Sequence, residues 1–145
     1  MYQTIVVGTD GSETAIRAVE HAAQLAQLTG ARLHLVTAIP AMPAVVAPEM
    51  MQGIPSSWID ANLDAARTVL EAAASDIAEK GVEVTAEVGN GDPADCLLRA
   101  CDTARADLLV VGNRGMQGAR RFLLGSVANR CAHHAACSVL IVSTS

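Results

Sequence analysis

Two short clusters in this sequence carry residue types whose spacing suits the capture of an anion. The longer is Gly112-Asn113-Arg114-Gly115, followed after nine residues by Gly125-Ser126. Glycines allow a backbone to approach a ligand closely and to adopt positive φ angles. Their N–H groups can then face phosphate oxygens, as in a nest. Ser126 adds a hydroxyl at the amino terminus of a following helix, with Val127 next to it. Unpaired N–H groups and the helix dipole already favour negative charge at such a place. The shorter cluster is Gly8-Thr9-Asp10-Gly11-Ser12. Asp10 is short and acidic, suited to accepting hydrogen bonds from sugar hydroxyls or an amino group, and Thr9 stands beside it.

Each cluster also has an ordinary reading. Asp10-Gly11-Ser12 serves as a turn and helix cap in many α/β chains. A strand-to-helix loop often needs glycine. Arg114, Arg120 and Arg121 could neutralise phosphate, although solvated arginines are commoner. Of these three, Arg114 enters the candidate set because it sits between the paired glycines. The two clusters weigh more together than apart, and that depends on the elements that carry them.

Ile5-Val6-Val7 is a short apolar run ended by a turn signal, hence a buried strand. From Ser12 to Thr29, Ala15, Val19, Ala22 and Ala26 recur at helical spacing, with Ser12 as cap and Gly30 as stop. Leu33 to Thr37 is a second strand. Ala38 to Ser56 holds four of the five prolines and three of the five methionines, without a sustained period. A loop of that length in a compact domain is usually functional or mobile. Ser57 and Asp60 resemble a capping box, and one helical face then runs from Ile59 to a stop near Gly81. Val82, Val84, Ala86 and Val88 alternate with polar residues, as expected of a half-exposed strand near a sheet edge. Asp92-Pro93 starts a helix that runs to about Ala104, with Asp95 placed to complete the cap. Leu108 to Val111 is a wholly apolar, central strand. A last helix begins at Gly125-Ser126, and Val139 to Val142 is the fifth strand.

Alternating strands and helices give a single α/β domain over residues 1–145, a doubly wound parallel sheet of five strands. Right-handed crossovers make 3-2-1-4-5 the economical order. In that order the switch point lies between strands one and four, where open sheets bind ligands outside their carboxyl ends. Asp10 and Gly112 meet there. Val139-Leu140-Ile141-Val142, apolar throughout, falls on an edge, and such edges invite pairing with a second copy.

Bulk properties narrow the classes. The chain has 145 residues, 51% hydrophobic, with a formal net charge of −5. Its aromatic residues are Tyr2, Trp58 and Phe122, so a base-stacking surface has little to work with. The acidic balance argues against nucleic acid and anionic lipid as partners. No run of apolar residues is long enough to span a bilayer, and Met1–Gly11 lacks the features of a secretory signal. A cytoplasmic, non-membrane protein is the expectation. Cys96, Cys101, Cys131 and Cys137 form no Cys-x-x-Cys pair. Cys131-Ala-His133-His134-Ala-Ala-Cys137 matches no usual zinc spacing, so reduced buried thiols are expected and no metal. His21 and His34 have no partner suggested by spacing.

The pattern Gly-x2-Gly-x9-Gly-Ser resembles that of the ATP-binding universal stress proteins. Ile5-Val6-Val7-Gly8-Thr9-Asp10-Gly11-Ser12, Asp107-Leu108-Leu109-Val110-Val111-Gly112 and Arg121-Phe122-Leu123-Leu124-Gly125-Ser126-Val127-Ala128 match in order and spacing, so the resemblance covers essentially the whole chain. It implies a Rossmann-like fold and a homodimer joined through the last strand. It also implies ATP, with or without magnesium, held by Asp10 near the adenosine, by Thr37 or Ala38 near adenine, and by Gly112, Gly115, Gly125 and Ser126 around the phosphates. AMP or cyclic AMP is the alternative ligand. Where the family often has proline before the last strand, this chain has Ser138. A regulatory, stress-response role follows from the resemblance. No catalytic residue is identified: the loop lacks the lysine of a Walker motif and no second carboxylate is placed to hold magnesium or activate water. The rivals are a slow ATPase or nucleotidyl transferase and an interaction module without nucleotide. A receiver domain lacks its phospho-acceptor, since the third strand ends in Gly89-Asn90.

Overall fold

The computed structural model describes residues 1–39, 56–113 and 124–144. The order is β1 (Thr4–Gly8), α1 (Glu13–Thr29), β2 (Arg32–Ile39), α2 (Ser56–Glu79), β3 (Val84–Asn90), α3 (Pro93–Ala104), β4 (Leu108–Gly112), α4 (Ser126–His134) and β5 (Ser138–Val142). The strands form one parallel sheet in the order β3-β2-β1-β4-β5. Fold class and strand order are as the sequence pattern predicts. The long Ala38–Ser56 loop and the three arginines Arg114, Arg120 and Arg121 fall largely or wholly outside the described residues.

Alternation along the strands builds two cores. Ile5, Val7, Leu33, Leu35, Leu108 and Val110 face α1 and α2. Val6, Val36, Leu109 and Val111 face α3 and α4. β1 and β4 are buried on both faces, which is why they read as unbroken apolar runs. The fully buried Ile5, Leu33, Leu35 and Leu109 each contribute roughly 1.5–3 kcal/mol of burial. α1 lies close to the sheet because Ala18, Ala22, Ala23 and Ala26 are its buried stripe.

The caps of α1 and α3 follow the sequence, whereas α2 already begins at Ser56, one residue before the expected cap at Ser57. Ser12 Oγ accepts from Ala15 N at 3.2 Å, and Gly30 ends α1 at φ 74°. Asp92 accepts from Asp95 N at 3.1 Å with Pro93 in the first turn. One detail differs. The Asp95 side chain, expected to complete that cap, turns instead to Arg130 Nη2 at 2.6 Å, while Arg130 Nη1 takes Asp92 at 2.5 Å. The fork of one guanidinium thus joins α3 to α4, and those two carboxylates raise the Arg130 pKa.

Two strands are displaced from their expected limits. β2 extends to Ile39, and β3 starts at Val84 and continues to Asn90. Pairing with β2 carries β3 past its apolar alternation, through Ala38↔Gly89 and Ile39↔Asn90. Gly89 is required there for packing: a Cβ would lie 2.7 Å from Cys96 Sγ on α3. α3 ends on Arg105 in the left-handed region, φ 51°, where no glycine marked the stop. At the amino ends of the strands, Asp107 accepts from Gln3 N at 2.6 Å and Thr4 N at 2.8 Å, which lowers its carboxyl pKa.

Candidate functional site

A cleft of about 380 Å³ opens at the carboxyl ends of β1 and β4. Four segments line it. Gly8, Thr9 and Asp10 come from the end of β1 and its turn, with Ser12, Thr14 and Ala15 from the start of α1. Val36 and Ala38 come from β2, and Val111 and Gly112 from β4. Ser126, Val127 and Ala128 form the first turn of α4, and Pro93 and Leu97 of α3 complete the wall.

Of the predicted residues, Thr9, Asp10, Ala38, Gly112, Ser126 and Val127 are brought together here. Thr37 is 5% exposed and sits one residue out of phase. Because Val36 and Ala38 line the cleft, Thr37 points to the opposite face of the sheet. Gly125 is the residue preceding α4 and borders the wall without lining it. Arg114 and Gly115 lie outside the described residues.

Local chemistry sets each position. Asp10 Oδ1 accepts from Ser12 N at 2.8 Å, an Asx turn on the lining of the cleft. Thr9 N is held by Val36 O at 2.9 Å, which fixes the turn against β2. Gly8 permits the cleft floor: a Cβ there would fall 3.0 and 3.1 Å from the Leu97 methyls. On the other side, α4 has Gly125 as its cap residue, and among the described residues no side chain caps its first N–H groups. Those donors and the helix dipole face the same crevice as the α1 turn. Asp10 is the one carboxylate among the described lining residues, and no lysine joins it.

Sequence reasoning passed over Asn113. Its backbone N donates to Val142 O at 2.9 Å and its carbonyl accepts from Gly125 N at 3.0 Å. Its side-chain Oδ1 accepts from both Thr144 N at 3.0 Å and Thr144 Oγ1 at 2.8 Å. Asn113 therefore ties together the two ends of the glycine-rich segment and the end of the chain. Pro93 and Leu97 were also missed, since helical periodicity gives a buried face but not which end of it reaches a crevice. His34 was read as partnerless. It contacts Thr85 Oγ1 at 2.6 Å and Glu87 Oε1 at 3.3 Å across β2 and β3, the pairing that registers them in space.

Among the described residues no group of three or more His, Cys, Asp or Glu side chains is arranged to hold a metal ion. No helix among them is long and apolar enough to cross a membrane.

An open parallel sheet with its crevice at the switch point defines a class of α/β ligand-binding domains. The family assignment is narrower. The model of the universal stress protein family matches residues 1–143, and the chain belongs to that family. It is 36% identical to universal stress protein Rv1636 of Mycobacterium tuberculosis, over 99% of this chain and 97% of the relative. A universal stress protein crystallised in complex with cAMP is 34% identical and superposes with a TM-score of 0.75, covering 99% of both chains. The Archaeoglobus fulgidus universal stress protein in complex with dAMP is 26% identical, with a TM-score of 0.69 and 97% of both chains covered.

Proposed function

We propose that this protein binds an adenine nucleotide in the cleft between β1 and β4 and acts as a regulatory binder, not as a fast enzyme. One observation carries the reading. The Asp10 turn and the uncapped start of α4 converge on a single crevice of about 380 Å³ from opposite sides. A nucleotide has the matching polarity: hydroxyls and an amino group at one end, phosphate at the other. In this reading Asp10 takes the ribose and Ala38 lies against the base. Gly112, Ser126 and Val127 surround the phosphate, with Gly115, Gly125 and Arg114 completing the loop. Relatives recorded with cAMP and dAMP support the ligand class.

ATP is the proposed ligand on the strength of the Gly-x2-Gly-x9-Gly-Ser pattern. The second reading is cyclic AMP, favoured by the 34% identical relative bound to it. A cleft with one carboxylate and helix-terminal amides accepts one phosphate as readily as three. Turnover is expected to be slow, because Asp10 gives one oxygen to Ser12 N and no second carboxylate lines the described wall to activate water. Titration calorimetry with ATP, AMP and cyclic AMP tests this, alongside mass spectrometry of small molecules released on denaturation. One nucleotide per chain is expected; saturation by none of the three refutes the reading. Steady phosphate release well above background refutes the non-enzymatic part.

The same reading includes a homodimer through β5. Val139, Leu140 and Ile141 stay partly exposed on an edge strand whose outer backbone groups pair with no strand of the sheet. A second copy of β5 covers that edge. Sedimentation at micromolar concentration is expected to give a dimer for the native chain and a monomer for Ile141→Lys. A monomeric native chain overturns the assembly and leaves the cleft untouched.

A further inference from the structure

The amino-terminal ends of two helices share in the cleft wall. Pro93 and Leu97 come from α3, and Ser126, Val127 and Ala128 from α4. Apolar packing between these ends is thin. In the two first turns the buried residues are Ala94 and Cys96 on α3 and Ala128 on α4, and Cys96 packs under Gly89 of β3. Short alanine side chains interlock little, so packing alone leaves the two starts poorly fixed against each other. A polar contact fixes them instead. Arg130, about one turn beyond Ser126, sends Nη1 to Asp92 Oδ2 at 2.5 Å and Nη2 to Asp95 Oδ1 at 2.6 Å. The same Asp92 oxygen caps α3, accepting from Asp95 N at 3.1 Å. One planar fork on α4 thereby grips both the cap of α3 and its first turn.

We propose that Arg130 is a positioning residue for the ligand: its fork on Asp92 and Asp95 holds the starts of α3 and α4 at the spacing that a bound nucleotide requires, without touching the nucleotide. This inference rests on the nucleotide reading of the cleft. Arg130 does not line the cleft, and both terminal nitrogens of its guanidinium are engaged by carboxylates. The three side chains are 43% to 53% exposed, so water screens their attraction and the contact adds little to stability. Its geometry matters more. A bidentate pair fixes distance and angle together. A wall ordered before the ligand arrives spares binding the cost of ordering it. The start of α4 depends on this most. Gly125 N is held by Asn113 O at 3.0 Å, and among the described residues no side chain caps the helix. Arg130 supplies a second hold, one turn further along.

The test compares the native full chain with Arg130→Met and Arg130→Lys. Arg130→Met keeps an aliphatic stem and removes the fork. Its dissociation constant for a labelled adenine nucleotide is expected to rise about tenfold, while its melting temperature falls by no more than about 4 °C. Arg130→Lys keeps the charge but grips one carboxylate at a time, and a loss of about threefold is expected. A long-range effect of charge predicts native affinity in the lysine variant. A general loosening of the fold predicts affinity falling in step with melting temperature. Either result overturns the proposal, as does native affinity in Arg130→Met.

A second readout needs no nucleotide. Asn129 N donates to Gly125 O at 2.9 Å at the start of α4, and Ile16 N to Ser12 O at 2.9 Å at the start of α1. In the ligand-free chain, amide hydrogen exchange at Asn129 is expected to quicken several-fold in Arg130→Met, with Ile16 unchanged. Equal exchange at Asn129 in the two proteins overturns the clamp, whether or not nucleotide binds. A native chain that binds no adenine nucleotide refutes the reading of the cleft, and the exchange result still judges the clamp.

Discussion

Ala38→Phe is expected to weaken nucleotide binding by about 100-fold or more, a loss of about 2.8 kcal/mol, while the melting temperature stays close to that of the native protein. Ala38 ends the described part of β2 on the cleft side, paired in register with Gly89. It is half-buried, not sealed in the core. A phenyl ring at that position has one roomy direction, into the crevice, where it occupies the place of a base. Fluorescence titration with a labelled adenine nucleotide reads the loss. Thr37→Val is the matched control: its side chain faces the α1 and α2 side, so affinity is expected to hold within about threefold even if the lost hydroxyl costs about 1 kcal/mol of stability. This pair also decides which of the two residues lies against adenine. Unchanged affinity in Ala38→Phe places the ligand elsewhere.

The contrast between Ala38 and Thr37 marks the limit of what the sequence discloses. Strands β1 and β4 were legible because they are buried on both faces, leaving no polar alternation to misread. Asp92-Pro93 and Gly125-Ser126 were legible because helix starts are local, settled by the conformations of a few adjacent residues. The strand order came from right-handed crossovers together with economy of connection. Phase at the end of β2 was not legible. Leu33-His34-Leu35-Val36-Thr37 breaks its alternation at the adjacent apolar pair Leu35-Val36, so its pattern does not say which residues face the crevice, and pairing with β3 decides it. Contacts across long sequence separations were invisible for the same reason. Arg130 meets Asp92 and Asp95 from 38 and 35 residues away, and nothing in either segment names the other. Cys137 departs from the expectation of buried thiols because it sits in a bend at the sheet edge, not on a helix face. Asn113 was hidden by its setting: between two glycines it reads as a loop filler, and its partner Thr144 lies 31 residues on.

Asn113→Ala is accordingly expected to destabilise the fold by about 2–3 kcal/mol, lowering the melting temperature by roughly 4–12 °C. Thr144 is 4% exposed, and both its N–H and its hydroxyl donate to the one Asn113 oxygen. Removing that acceptor strands two donors in a place water barely reaches, and each costs more than the hydrogen bond contributed when made. The Thr144 carbonyl stays bound by Arg17 Nη1 at 3.0 Å, so the chain end is not free to swing out and rehydrate cheaply. Asn113→Asp keeps an oxygen in the same position and is expected to recover most of the loss at neutral pH. Thr144→Val removes the hydroxyl while leaving the N–H bonded, and about 1 kcal/mol is expected. In the double variant the two losses should fall short of their sum by about 1 kcal/mol, the signature of a shared contact. Denaturant titration of the four proteins measures the cycle. Additive losses would mean that Asn113 and Thr144 act independently. Coupled losses would show that the chain end holds the base of the glycine-rich segment, because Asn113 also receives Gly125 N at 3.0 Å. The stability of the β5 edge and the shape of the candidate site are then set by one asparagine.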